Sequence, residues 1–136
     1  MLGLLGVKLD AEKNAANDEE AAPLPGMLML HGGAFYLPVQ AGTLALACEY
    51  ASRARIRVFV PDYRLTPSCP APKALEDCMA LWQKMCASGT ELDLDSSRLV
   101  VCGDSAGAAT APVRRWLRDC AFCCATRDCR CRNVSF

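Results

Sequence analysis

The chain has 136 residues, 52% of them apolar, and its 15 Lys and Arg balance 15 Asp and Glu. That size holds one domain with a modest core, and the neutral balance supplies no field that would gather nucleic acid or an anionic membrane surface. The composition excludes fibrous and disordered classes, and no apolar run has the length of a membrane span.

Met1 to Leu9 is too short in its apolar stretch, and lacks the basic leader, for a secretory signal, so a cytoplasmic location is expected. Its alternation of small and apolar residues predicts an edge strand. Asp10 to Pro25 is polar and Ala-rich, closes in Pro-Leu-Pro-Gly, and reads as a loop. Met27 to Leu30 is a short buried strand that runs at once into His31-Gly32-Gly33-Ala34-Phe35. Two glycines after a strand mark a place where the backbone approaches something closely.

Thr43 to Arg55 carries Leu44, Ala47, Cys48 and Ala51 at helical spacing, with Thr43 as the expected N-cap. Ile56 to Val60 is β-branched, stopped by Pro61, and reads as a strand. A loop punctuated by Pro67, Pro70 and Pro72 follows. From Lys73, the series Leu75, Cys78, Met79, Trp82, Met85, Cys86 forms one face of a helix that Gly89 ends. Leu92 to Ser97 reads as a loop leading into Leu99-Val100-Val101-Cys102, a strand predicted to be buried on both faces. That strand enters Gly103-Asp104-Ser105-Ala106-Gly107, and Gly-x-Ser-x-Gly is the turn that carries a strand into a helix with its serine pushed onto an exposed corner. Ser105 is therefore the candidate nucleophile.

Strands alternating with helices imply βαβ crossovers and a parallel sheet, in which ligands sit beyond the carboxyl ends of the strands. Both special turns, at His31 to Phe35 and at Gly103 to Gly107, fall at that end.

The series His-Gly-Gly-Ala-Phe, Pro-Asp-Tyr-Arg-Leu-Thr-Pro, Pro70-Ala71-Pro72, Leu75-Glu76-Asp77, Asp95-Ser96-Ser97-Arg98 and Gly-Asp-Ser-Ala-Gly resembles the hormone-sensitive-lipase-like branch of the α/β-hydrolases, over roughly residues 25 to 111. The resemblance implies a carboxylic-ester hydrolase acting on a small acyl ester, with no cofactor. Ser105 would be acylated. Gly32, Gly33 and Ala106 would offer N–H groups to the oxyanion, worth roughly 3 to 4 kcal/mol each in the transition state, and the helix following Ser105 would add its positive end. His31, Asp104, Tyr63 and Arg64 would support the site, His31 by bracing the glycine loop. Ser68, Cys69 and Lys73 depart from the family pattern in the middle motif.

Such a hydrolase needs a His base and an acid after the nucleophile. The sole histidine is His31, upstream of Ser105, and neither Asp119 nor Asp128 would have an imidazole to orient. The expectation is a truncated α/β-hydrolase fold: residues 1–25 an edge strand and acidic loop, 26–111 a partial core with a mostly parallel sheet of three or four strands and flanking helices, and 112–136 a divergent tail. Pro112 interrupts the helix after Ser105, and the tail holds five of the ten cysteines and, from Arg114, six arginines. Cys120 and Cys123 have zinc-ligand spacing, but without a second well-spaced pair no metal site is expected. The remaining Cys48, Cys69, Cys78, Cys86 and Cys102 are expected to be buried free thiols. An exposed apolar edge on the Ser105 strand predicts low solubility, a homo-oligomer or an edge-strand partner. Two readings stay open: an ester hydrolase that is catalytically incomplete in this chain, and a non-catalytic protein that binds a small molecule or a partner.

Overall fold

The computed structural model describes residues 22–87, 89 and 91–109. The expected edge strand at 1–9, the tail and its cysteines, and Pro112 lie outside the described residues.

Period-two alternation organises the sheet. Strand β1 (Leu24–Leu30) lies in its middle, with β2 (Arg57–Phe59) on one side and β3 (Leu94–Gly103) on the other, all parallel. Leu28 and Leu30 point to one face, where they pack with Phe59, Tyr63 and the residues Cys78, Leu81, Trp82 and Met85 of helix α2 (Lys73–Ala87). Met29 points to the opposite face, against Val58, Val60 and the small residues Ala47 and Ala51 of helix α1 (Ala41–Ala54). A strand covered on both faces loses its polar alternation and becomes uniformly apolar, as Met27 to Leu30 does. Leu28, Leu30, Trp82 and Met85 are each at most 1% exposed. Burying a leucine side chain fully contributes about 1.5 to 3 kcal/mol, so the α2 face is the heavier half of the core.

The structure corrects several local expectations. Helix α1 starts at Ala41 with Gln40, not Thr43, in the N-cap position and without a side-chain cap bond, and the Thr43 N–H donates to the Gln40 carbonyl at 3.0 Å. Its C-terminus is closed by Arg55 in the left-handed region (φ 50°). Strand β1 begins at Leu24, inside the expected loop, and β3 begins at Leu94, inside another. The reason is a bulge: Leu24 pairs with Leu94 and Pro25 with Asp95, but Gly26 pairs with Leu99. Proline lacks the ladder donor and is tolerated where pairing is interrupted. The turn chemistry seen in Asp95 to Arg98 is therefore accommodated within the strand. Asp95 accepts the Ser97 N–H (2.9 Å) and hydroxyl (2.5 Å) and the Arg98 Nε–H (2.5 Å), while Arg98 Nη2 donates to the Pro23 carbonyl at 3.0 Å. These bonds, the Ser97 hydroxyl foremost, hold the Asp95 carboxyl below its ordinary range.

Strand β3 is not buried on both faces. It is an outer strand of the described sheet, and Val100 is 48% exposed. Leu81, absent from the expected helix face, belongs to the core. Of the five scattered cysteines only Cys78 is buried, and Cys48 lies exposed on α1. Burial pushes the Cys78 thiol up to about 12.

Candidate active site

The register that pairs Leu30 with Gly103 brings the ends of β1 and β3 level, so their two following turns lie side by side. Asp104 N–H donates to the Leu30 carbonyl at 3.1 Å, carrying the ladder one step beyond the sheet. Ser105 then turns the chain at φ 48°, in the left-handed region that a side chain rarely adopts. Gly107 N–H closes the turn on the Asp104 carbonyl at 2.8 Å, and the short helix α3 (Ala106–Ala109) begins. Ser105 is exposed, whereas Ala106 is 7% exposed.

Close backbone approach explains Gly107. A Cβ there would stand 2.2 Å from the Leu30 carbonyl oxygen and 2.9 Å from that of His31. At Gly32 a Cβ would lie 3.3 Å from Ser105 Cβ and 2.8 Å from Asp104 Oδ2. The two turns thus touch through glycines, with Ser105 at the contact. Among the described residues, none of the N–H groups of Gly32, Gly33 and Ala106 has a backbone acceptor.

The loop after β1 is tightly wound: Gly33, Ala34 and Phe35 have φ of 115°, 54° and 60°. Three consecutive positive φ values are unfavourable for a free chain, and the loop is held by bonds at both ends. Tyr36 and Leu37 N–H both donate to the Gly33 carbonyl at 2.9 Å. From the segment after β2, Thr66 donates to the Phe35 carbonyl from its N–H (2.8 Å) and its hydroxyl (2.9 Å).

His31 lies beneath this loop, 0% exposed. Its Nδ1 donates to the Gly32 carbonyl at 2.7 Å, which places the proton on that nitrogen. The Tyr63 ring stacks on it with centroids 4.1 Å apart and planes within 4°. The Tyr63 hydroxyl donates to the His31 carbonyl at 2.6 Å. Burial first, and the neighbouring Cys78 second, push the Tyr63 hydroxyl up to about 12, so it remains a donor. Arg64 fastens the segment to α2: its Nη2 and Nε donate to the two carboxylate oxygens of Asp77 at 2.7 and 2.9 Å, and its main-chain N–H donates to Asp77 at 3.0 Å. The Arg64 bonds hold the Asp77 carboxyl below the usual carboxylate range.

The described residues expected to form the site lie at this end of the sheet. Ser105 stands against Gly32 where the two turns touch, Gly33 continues the wound loop, and Ala106 opens α3. Asp104 links the turn to β1 through its main chain, and His31, Tyr63 and Arg64 form a chain of contacts from the glycine loop to α2. Sequence reasoning missed Thr66 and Asp77. Both sit in the proline-rich middle motif or just after it, but nothing local reveals which carbonyl or cation each reaches. The arrangement suits a hydroxyl attacking an electrophile whose oxygen is received by backbone N–H groups. The single histidine is already engaged in the loop. Among the described residues no cluster of His, Cys, Asp and Glu could hold a metal ion, and no helix is long and apolar enough to cross a membrane.

A model of the family described as alpha/beta hydrolase fold matches residues 27–119. An esterase of Mycobacterium tuberculosis, LipI, is 36% identical over 97 residues, covering 69% of this chain and 29% of that protein. The ethyl acetate hydrolase of Pseudomonas putida is 30% identical over 96 residues, covering 71% of this chain and 30% of its own length. Among solved structures, a hyperthermophilic esterase from the archaeon Pyrobaculum calidifontis superposes with a TM-score of 0.65 at 29% identity, over 74% of this chain and 33% of that one. The chain spans under a third of the length of these curated relatives.

Proposed function

Since the chain belongs to the hormone-sensitive-lipase-like branch of the α/β-hydrolase fold family, we propose that its described core is the nucleophile and oxyanion half of a carboxylic-ester hydrolase site. Ser105 is the group that is acylated. The N–H groups of Gly32, Gly33 and Ala106 receive the carbonyl oxygen as it becomes an anion, and His31, Tyr63, Arg64 and Asp104 hold the two turns in place. The observation that carries this reading is the strained, exposed Ser105 at φ 48°, seated against Gly32 by a contact that a single added carbon would fill to 3.3 Å. Strain of this kind, of order 1 to 3 kcal/mol, persists only where surrounding structure enforces it, and it clusters at functional sites. Relatives named as esterases supply the substrate class, a small acyl ester.

Acylation requires a base to take the Ser105 proton as Oγ bonds to the acyl carbon and the alcohol departs with a proton. His31 is not placed to serve: it is fully buried, and Nε2, the ring nitrogen left to accept a proton, is itself buried and makes no hydrogen bond to Ser105. The 136-residue chain is therefore expected to turn over esters only at the residual level left by oxyanion stabilisation and binding. The same observation favours a second reading, a site that holds a small acid or ester without reacting. Added imidazole discriminates the two. Under the first reading, imidazole-dependent hydrolysis of p-nitrophenyl acetate exceeds the imidazole background and the excess disappears in Ser105→Ala. Saturable binding of acetate or ester with no such excess would establish the second. A serine no more reactive than background, with no binding, refutes both.

A further inference from the structure

Two consecutive peptide units carry the first two proposed oxyanion donors, and each has its carbonyl held by a different side chain. Both peptide bonds are trans, and in a planar trans peptide the C=O and the N–H point in opposite directions. Holding the carbonyl of residue i therefore aims the N–H of residue i+1. The His31 carbonyl accepts the Tyr63 hydroxyl at 2.6 Å, and its peptide partner is the Gly32 N–H. The Gly32 carbonyl accepts His31 Nδ1–H at 2.7 Å, and its partner is the Gly33 N–H.

Resting on the proposed ester-hydrolase reading, we infer that Tyr63 is a positioning residue that sets the direction of the Gly32 N–H through the His31 carbonyl, while the His31 ring sets that of Gly33. The stacked rings make the two controls a single unit, since the 4.1 Å contact fixes where the Tyr63 hydroxyl and His31 Nδ1 stand relative to each other. The unit is anchored on both sides. Arg64, next in the chain, is clamped to Asp77 of α2, and the His31 carbonyl lies close against Gly107 of the serine turn. Tyr63 is 3% exposed and burial pushes its hydroxyl up to about 12, so it is a donor at neutral pH. Glycines at positions 32 and 33 make such bracing necessary. Without side chains, each peptide plane is free to flip unless its carbonyl is bonded.

The test is the amide motion of Gly32 and Gly33 in the full chain, read as 15N order parameters in wild type and Tyr63→Phe. The wild-type protein should show both near the rigid value of about 0.85. In the variant, Gly32 should fall toward the flexible range, below about 0.6, while Gly33 stays rigid. Loosening of Gly32, Gly33 and Ala34 together would mean that Tyr63 is merely structural, and an unchanged Gly32 would mean that it does not orient that amide. Either overturns the inference. A flexible Gly32 in the wild type overturns it without any variant. A kinetic arm follows the imidazole-dependent acylation of Ser105: Tyr63→Phe should lower kcat about tenfold at unchanged KM, as expected for a misaimed oxyanion donor. If the wild type shows no such acylation, the ester-hydrolase reading fails while the order parameters still decide the role of Tyr63 in aiming the amide.

Discussion

Gly107→Ala tests whether the serine turn is built on backbone contact. The added Cβ would stand 2.2 Å from the Leu30 carbonyl oxygen and 2.7 Å from its carbon. An ordinary carbon–oxygen contact is about 3.3 Å or longer, so one side must move by about 1 Å. Leu30 is poorly placed to move, because it ends the central strand, is 1% exposed, and its carbonyl accepts the Asp104 N–H. Overpacking of this kind costs about 1 to 3 kcal/mol, and a clash with backbone belongs at the upper end. Alanine regains at most about 1 kcal/mol of helix propensity. The net loss is about 2 kcal/mol, a roughly 30-fold drop in the folded-to-unfolded ratio. With a urea dependence of about 1.5 kcal/mol per molar, the midpoint falls by about 1 M. Urea titration followed by the fluorescence of Trp82, which is 1% exposed, measures it. Gly42→Ala is the control: nothing lies within 4 Å of its Cβ position, and it should raise stability by up to about 1 kcal/mol, a midpoint rise of up to about 0.7 M. A Gly107→Ala midpoint equal to or above that of the wild type would refute the close-approach argument.

Three other perturbations follow. Ser105→Gly relieves the positive φ, which costs a side chain about 1 to 2 kcal/mol, against a smaller entropic loss in the unfolded chain, so stability should rise by about 0.5 to 1 kcal/mol; a destabilised variant in the same urea titration would contradict a strained serine. Asp77→Asn removes a carboxyl whose folded pKa is depressed mainly by its Arg64 bond. A depressed carboxylate stabilises above its unfolded pKa and stops doing so as pH falls through the folded value. The stability gap between wild type and Asp77→Asn should accordingly be present at neutral pH and close in acid below the ordinary carboxylate range; a gap that is constant with pH would show that the Arg64 pair is not its source. Val100→Lys places a charge on the outer strand at a site already 48% exposed. It should leave stability within about 0.5 kcal/mol and reduce concentration-dependent association in sedimentation velocity, whereas unchanged association would move the sticky surface elsewhere.

How far the sequence reached depended on the range of the forces involved. Gly103 to Gly107, the apolar run into Leu30 and the spacing from Leu75 to Met85 are governed by local geometry: a turn that tolerates no Cβ, a strand covered on both faces, and a helix with one buried side. Such constraints act within a few residues and were legible. The alternation of strands and helices put Ser105 and the glycine loop at one end of the sheet, where the level ends of β1 and β3 carry them, because strand polarity alone puts both there.

Tertiary contact decided the rest. Pro25 and Asp95 to Arg98 have loop chemistry, yet they lie in β1 and β3, since a bulge lets the ladder resume at Gly26 and Leu99. Thr43 has the better capping side chain, but the helix entered from the wound loop begins earlier, at Ala41. Leu99 to Cys102 reads as an interior strand, yet Val100 faces outward because a strand's burial is set by its neighbours and not by its own residues. The sequence by itself determined the two turns that follow β1 and β3 and the apolar faces of β1 and α2 that are covered. Only the packed structure decided how the glycine loop is held, because a hydroxyl on Tyr63, a ring on His31 and a carboxylate on Asp77 find their partners through contacts that span up to 32 residues of chain.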